Sequence, residues 1–315
     1  MKKALDLAKK GYGFTSPNPC VGALIVCDGE VVAEGFHVRA GEDHAEVAAL
    51  KDAAARGIEV QGLDMYVTLE PCCHFGKTGP CCDALINAEI KRVFVGMLDP
   101  NSKVAGAGVE RLMEAGIEVE VLSDKDLMVE LYFLNRFFIK SMKTGLPYVI
   151  LKAGISADNC MSLGDGKRIL VTSDRSRQDA RLERSVCDAV LIGSGTAKID
   201  QPDLLAHGKW LKKNLLRIVL GDYKWGDFFV DSGEDLIKLL ERLSSEMSVQ
   251  SLFVEGGAKV HKSFFEAGLC DEILVYQSVN ELGGSNDFPY LDGLDLFEEK
   301  MIGSDLKKRA LINIY

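Results

Sequence analysis

Two segments decide how this chain is read: Asp43-His44-Ala45-Glu46, and Thr68-Leu69-Glu70-Pro71-Cys72-Cys73-His74-Phe75-Gly76-Lys77-Thr78-Gly79-Pro80-Cys81-Cys82. From Ala45 to Arg56 the sequence is rich in Ala, Leu and Val, which predicts a helix beginning near His44. His44 and Glu46 then fall in its first turn, whose partial positive charge favours hydroxide and carboxylate. Met65–Leu69 predicts a buried strand, and Glu70-Pro71 ends it and delivers Cys72 to the edge of a sheet. Pro80 suits the first turn of a second helix, over Cys81–Ala88. A thiolate at such a helix end has a lowered pKa and takes metal readily. An imidazole with cysteines is a donor set that zinc prefers. A Glu two residues from the His fits a catalytic centre better than a structural one, which four protein ligands close. Cys73 and Cys82 stand beside Cys72 and Cys81 as alternative ligands, and His74 sits in the intervening loop, where substrate contact or loop packing is expected.

His-x-Glu followed by Pro-Cys and a further Cys is similar to the ligand set of zinc-dependent deaminases. Their commonest form spaces the cysteines Cys-x-x-Cys, whereas Cys72 and Cys81 are separated by a loop containing Gly and Pro. In this the segment resembles the bacterial bifunctional riboflavin-biosynthesis deaminase/reductases, which have Pro-Cys, a His-x-Gly-Lys/Arg-Thr core and then Pro-Cys. The likeness continues through Asn18-Pro19-x-Val21-Gly22, Thr68-Leu69-Glu70-Pro71 and Asp99-Pro100-Asn101. The resemblance implies that His44, Cys72 and Cys81 hold Zn2+, that Glu46 carries protons, and that Asn18 touches substrate. Lys77 lies on the widened loop. A free base or nucleoside needs no cation there, but a phosphoribosylated pyrimidine does, because ammonium–phosphate hydrogen bonds are charge-assisted. Lys77 is therefore expected at the substrate phosphate. A cation at His37 or Arg39 would meet a phosphate or the ring, with a surface role for Arg39 as the alternative.

The 315 residues suit two domains of ordinary size, and a hydrophobic fraction of 47% is enough for two cores. The net charge of -10 is shared: residues 1–144 carry 16 basic and 21 acidic side chains, residues 145–315 carry 21 and 26. Neither half is basic, which argues against a nucleic-acid groove and so against a tRNA deaminase. Six of the 9 cysteines lie in the first 82 residues. With no secretory signal at Met1-Lys2-Lys3-Ala4 and no run of ~20 apolar residues, they point to metal binding in a reducing cytoplasm, away from membranes.

In order, the chain predicts a helix over Lys2–Lys10, a loop over Gly11–Pro19, and strands Val21–Val26 and Val31–Phe36 around an Asp28-Gly29 hairpin turn. After the metal-binding segments come a strand Arg92–Met97, a helix Val109–Ala115, a strand Ile117–Leu122 and a helix Asp126–Lys140. Alternation of this kind predicts a layered α/β domain. Met142–Pro147 is the expected joint, giving domains 1–144 and 145–315. The second predicts strands Tyr148–Lys152, Ile169–Thr172, Asp188–Ile192, Leu216–Leu220, Leu252–Val254, Asp271–Tyr276 and Ala310–Tyr315. Its helices are Asp174–Arg184, with Ser173 as N-cap, Glu234–Glu246 and Ala258–Ala267. Two strands run into Gly193-Ser194-Gly195-Thr196 and Glu255-Gly256-Gly257, turns that offer backbone N–H groups to phosphate. The fingerprint G-x-G-x-x-G is missing, so spacing alone gives only an α/β domain suited to a phosphate.

Here the resemblance adds more. Pro147-Tyr148-Val149-x-Leu151-Lys152, Asp188-Ala189-Val190 with Gly193-x-x-Thr196, Asp200-x-Pro202 and Val254-Glu255-x-Gly257 look like the family's reductase domain. It implies a cytidine-deaminase-like three-layer first domain and a dihydrofolate-reductase-like α/β second domain that binds NADPH. By position, Gly154, Thr196, Asp200 and Gly257-Ala258-Lys259 would face the cofactor, and Arg184 and Glu255 the ribose phosphate. Asp200 is the candidate proton donor for reduction, with a structural helix-cap role as the alternative. The chain departs from the pattern at Ser156-Ala157-Asp158-Asn159, at Arg168-Ile169-Leu170-Val171-Thr172, and at His207, where the family has an arginine. A deaminase with a merely structural second domain is the alternative those departures keep. A homo-oligomer joined through the reductase domains is expected from the family.

Overall fold

The computed structural model describes residues 1–73, 79–165, 167, 169–284, 288 and 293–314. The chain divides into two compact units, Met1–Thr144 and Gly145–Tyr315.

The first unit runs α1 (Lys2–Ala8), β1 (Gly22–Cys27), β2 (Glu30–Phe36), α2 (Ala45–Ala55), β3 (Asp64–Val67), α3 (Cys81–Asn87), β4 (Arg92–Val95), α4 (Ala107–Glu114), β5 (Glu118–Val121) and α5 (Lys125–Thr144). Its sheet has the order β2-β1-β3-β4-β5. β1 is antiparallel to β2 and β3, and β3, β4 and β5 are parallel. The β1–β2 turn has Asp28 at φ 49° and Gly29 at φ 83°, the paired left-handed residues that a two-residue hairpin requires. Ala45, Ala49 and Ala53, four residues apart on α2, are fully buried against the sheet. Their small size, with Gly35 below, brings α2 close to β2: a Cβ on Gly35 would lie 2.3 Å from the Ala49 nitrogen. Most boundaries shift by one or two residues from the sequence expectation, and two of the differences bear on the site and the joint. Pro80 is the N-cap of α3 and lies outside the helix. α5 runs to Thr144, beyond Lys140, and stops where Gly145 takes φ 74°.

The second unit runs β6 (Tyr148–Ile155), α6 (Asp174–Ser185), β7 (Ala189–Gly193), α7 (Ser194–Asp200), β8 (Leu216–Leu220), β9 (Phe228–Val230), α8 (Leu236–Met247), β10 (Ser251–Val254), α9 (Ala258–Glu266), β11 (Glu272–Gln277), β12 (Leu296–Ile302) and β13 (Asp305–Leu311). Eight strands form one sheet in the order β12-β13-β11-β6-β10-β7-β8-β9. All neighbours are parallel except β13, which is antiparallel to β11 and β12. Val149, Leu151, Leu191, Leu252, Val254, Ile273 and Val275 from the central strands form the core with Leu239, Leu243 and Phe264 from α8 and α9. Ser173 caps α6, its side chain accepting from the Ser176 N–H.

Residues 169–172 form no strand. Leu170 is 58% exposed, and the run leads into α6, with the Ser173 N–H held by the Asp305 carboxylate. The last strand lies at Asp305–Leu311, earlier than Ala310–Tyr315, and pairs with β11. No described helix is long and apolar enough to cross a membrane.

Candidate functional site

In the first unit, β3 and the two helix starts converge. His44 is the N-cap of α2, Glu46 is in its first turn, and Cys81 opens α3. Cys72 follows the end of β3 by five residues. His44 Nδ1 is 3.2 Å from Cys81 Sγ and 3.5 Å from Cys72 Sγ, and the Cys81 N–H donates to Cys72 Sγ at 3.3 Å. The three ligand atoms lie within 4.8 Å of one another. One imidazole and two thiols so placed fit zinc, and a site with three protein donors leaves a position for water. Among the described residues no other His, Cys, Asp or Glu joins the group. Cys82 turns away, its thiol donating to the carbonyls of Pro71 and Gly108 at 3.3 and 3.5 Å.

The electrostatics divide the roles. Cys72 accepts from the Cys81 thiol and stands beside the His44 ring, which together hold its thiol down at about 4. Cys81, which gives that hydrogen bond and is desolvated, is pushed up. Glu46 is 3% exposed, and burial raises its carboxyl to about 7, against a smaller opposite effect from a backbone N–H. A carboxyl poised near neutrality suits two-way proton transfer.

Asn18 and His37 form a pair beside His44. Asn18 Nδ2 is 3.0 Å from His37 Nε2, and the His37 ring stands edge-on to the His44 ring, centroids 5.4 Å apart. Arg39 is an exposed residue paired with Glu42 at 2.7 Å. Lys77 and His74 lie outside the described residues.

Sequence reasoning assigned Glu70 no role. It is 6% exposed, and its carboxylate accepts from the N–H groups of Asp99, Gly106, Gly108 and Val109 at 2.8–3.3 Å. It thereby ties the start of α4 to the chain two residues before Cys72. Gly108 makes room for this, since a Cβ there would lie 2.1 Å from the Pro71 carbonyl oxygen. The signal available was an acidic residue at the end of a buried strand, directly before Pro.

In the second unit, Arg184 lies in the last turn of α6 and is 5% exposed. It donates to Glu255 Oε2 at 3.0 Å and to the Leu205 carbonyl at 2.9 Å. Lys152 of β6 is 3.9 Å from the other Glu255 oxygen. Two cations therefore share one carboxylate just past the C-terminal end of β10. His207 donates its N–H to Ser185 Oγ at 2.7 Å. Burial first, then the guanidiniums of Arg184 and Arg181, lower its ring pKa. Arg168 lies outside the described residues.

β7 and β10 are adjacent and parallel, so the turns after them lie side by side at the carboxyl edge of the sheet, where ligands of such sheets bind. A Cβ on Gly257 would come within 3.9 Å of Thr196 Oγ1. Gly193 and Gly256 pack on Val260, with Cβ positions 2.9 and 2.5 Å from it, so both turns need glycine for α9 to sit close. Ala258 and Lys259 open α9, and Asp200 closes α7 four residues after Thr196. Gly154 lies in β6 opposite Tyr276, its Cβ position 3.3 Å from Thr172. Gly195 and Gly257 are exposed in these turns, and turns of this kind offer backbone N–H groups to phosphate.

Residues 1–97 match the cytidine and deoxycytidylate deaminase zinc-binding region, and residues 147–305 match the RibD C-terminal domain. The chain is similar to the riboflavin biosynthesis protein RibD of Escherichia coli (strain K12), 38% identical with 90% of this chain and 88% of that one covered. It is 36% identical to RibD of Bacillus amyloliquefaciens, covering 99% and 95%. Among solved structures, Acinetobacter baumannii RibD superposes with a TM-score of 0.86 at 33% identity, covering 98% and 97%. The diaminohydroxyphosphoribosylaminopyrimidine deaminase/5-amino-6-(5-phosphoribosylamino)uracil reductase of Thermotoga maritima gives 0.86 at 31%, covering 99% and 97%.

Proposed function

This chain belongs to the RibD family, the bifunctional deaminase/reductases of riboflavin biosynthesis, and from that membership we propose which of its residues perform each half-reaction. The first unit (1–144) is the deaminase and the second (145–315) the reductase. The substrate is a diaminopyrimidinone phosphoribosylamine, converted to the corresponding uracil and then reduced at its ribosyl group.

The observation that carries the first assignment is a buried glutamate beside a His/Cys/Cys group whose ligand atoms lie within 4.8 Å. His44, Cys72 and Cys81 would hold zinc, and Glu46 would not. Zinc, when held there, supplies the Lewis acidity that makes water acidic near neutral pH. Glu46 takes the proton from the attacking water and returns it to the departing ammonia, as base and then acid. Asn18 contacts the base, and Lys77 the phosphate.

In the second unit, Arg184 is held by Glu255 so that its guanidinium is fixed for the ribose phosphate, while Glu255 meets the ribosyl group. Gly154, Thr196 and the Gly257-Ala258-Lys259 turn line the cofactor's place. NADPH, when bound there, supplies the hydride. Asp200 is the proton donor. The assembly is a homo-oligomer in the cytoplasm that acts on a small phosphate ester and on no nucleic acid.

The test is direct. Purified protein is given the diaminopyrimidinone substrate and ammonia release is measured. The deaminated product is then supplied with NADPH and oxidation is followed by absorbance. Both signals, with one zinc per chain, are expected. Ammonia release without NADPH oxidation would leave the second unit structural.

A further inference from the structure

His37 takes no part in the chemistry above, yet it is 3% exposed and hydrogen-bonded at both ring nitrogens. Its Nδ1 lies 2.9 Å from the Asp43 carbonyl oxygen and its Nε2 3.0 Å from Asn18 Nδ2. These two contacts fix the direction of every hydrogen. A backbone carbonyl only accepts, so Nδ1 carries the ring hydrogen. A neutral imidazole has one such hydrogen, which makes Nε2 an acceptor. The amide of Asn18 must then offer its NH2 edge to His37, and its Oδ1 faces away from the histidine.

Both ends of this arrangement are anchored. Asp43 directly precedes His44, so His37 is tied to the backbone that sets the metal ligand. Asn18 donates its own N–H to the Thr15 carbonyl at 2.8 Å. Two residues on, Cys20 is clamped by Asn135 of α5, which accepts from the Cys20 N–H at 2.7 Å and donates to its carbonyl at 3.1 Å. The Asn18 backbone therefore has a fixed place, and His37 selects which of the two orientations of its side-chain amide is kept.

We propose that His37 is a positioning residue that holds the Asn18 amide with Oδ1 toward the substrate, so that the deaminase site selects a pyrimidine presenting an N–H at that point. The proposal rests on Asn18 as a substrate contact. A site built to receive a hydrogen bond discriminates strongly against an analogue that lacks the donor, because its own acceptor is left unpaired. A substrate analogue whose N–H at that point is replaced by a ring nitrogen or a methylated nitrogen is rejected.

A double-mutant cycle tests this, with ammonia release and zinc per chain measured for His37→Phe, Asn18→Ala and the pair. His37→Phe keeps a flat ring beside His44 but removes the acceptor. It is expected to lower kcat/KM about ten- to a hundredfold with zinc content unchanged. In the Asn18→Ala background the same change is expected to do nothing further, since the two residues act as one. His37→Gln, whose side-chain oxygen can accept from Asn18, is expected to recover part of the activity. It also carries the cycle if the Phe variant loses zinc. Losses that multiply in the double variant, or a His37→Phe enzyme with wild-type kcat/KM, overturn the proposal. Wild-type kinetics in Asn18→Ala would remove the substrate contact and this inference with it. A wild-type protein that releases no ammonia defeats the deaminase reading itself, a failure seen before any variant is made.

Discussion

Glu46 shows how much one side chain is asked to do. It is buried in the first turn of α2, and burial raises its carboxyl to about 7. Glu46→Gln keeps the shape and the buried hydrogen-bonding capacity but cannot take a proton. Zinc content should stay at the wild-type value while ammonia release falls by at least ~100-fold. An active Gln variant with zinc bound would show that another group moves the proton. His44, Glu46, Cys72 and Cys81 were legible in sequence because few residue types ligate zinc and their order along the chain is constrained. The residue types alone left Cys82 open beside Cys81, and only the family resemblance favoured Cys81, because the choice depends on which way two adjacent thiols point: Cys82 donates to backbone carbonyls instead. The bond from Asn18 to His37 was equally hidden, because it joins residues 19 apart across a loop with no periodic pattern.

At the level of elements, the small residues of α2 and β2 decide whether the metal ligands meet. Gly35→Val would drive a side chain into the α2 backbone, at a Cβ position 2.3 Å from the Ala49 nitrogen and 2.4 Å from the Ala45 oxygen. The helix must shift, at a cost of about 1–3 kcal/mol, and His44 and Glu46 shift with it. Lower zinc affinity in a competition assay is the expected readout. β13 was misplaced from sequence for the opposite reason: Lys307, Lys308 and Arg309 do not look like a sheet interior. Lys307 and Arg309 are nevertheless 1% and 3% exposed, because α6, β11 and β12 bring carboxylates to them. Arg309 bonds Glu183 at 2.6 Å, Glu298 at 2.9 Å and also Glu272, which is fully buried, while Lys307 bonds Asp179 and Glu183. Arg309→Met would strand those carboxylates and should destabilise the second unit by about 3–5 kcal/mol in denaturant titration. The network also predicts acid lability. Burial alone would raise Glu298, but bonds from Lys300 and Arg309 outweigh it and hold its carboxyl at about 2. Its folded-state pKa is thus depressed, so its contribution is present above the ordinary carboxylate range and disappears as pH falls toward 2. Thermal unfolding followed from pH 5 down to pH 2 should show the second unit's transition dropping, and a flat profile would refute the account.

Over the whole molecule, the broad plan followed from composition and alternation: two α/β units, both acidic, with six of the 9 cysteines in the first. An overall charge of -10 means that an anionic substrate must be held by local cations. Arg184, held by Glu255, is the cation proposed above for that role. What the sequence hid at this scale was the full width of the second sheet, since β9 has only three residues and β12 carries Glu298, Glu299 and Lys300. The division at Thr144/Gly145 has a consequence for metal removal. Each unit has its own sheet and buried side chains, and the zinc ligands all belong to the first. Metal bound only by the folded form stabilises that form by mass action. A chelator should therefore lower the melting transition of the first unit and abolish ammonia release. The transition of the second unit should not move, and NADPH oxidation with the deaminated substrate should continue at its original rate. Differential scanning calorimetry with both activity assays on the same chelated sample checks this. Parallel loss of both activities would mean that the reductase depends on a folded, metal-loaded partner unit, and the two cores could no longer be treated as separate.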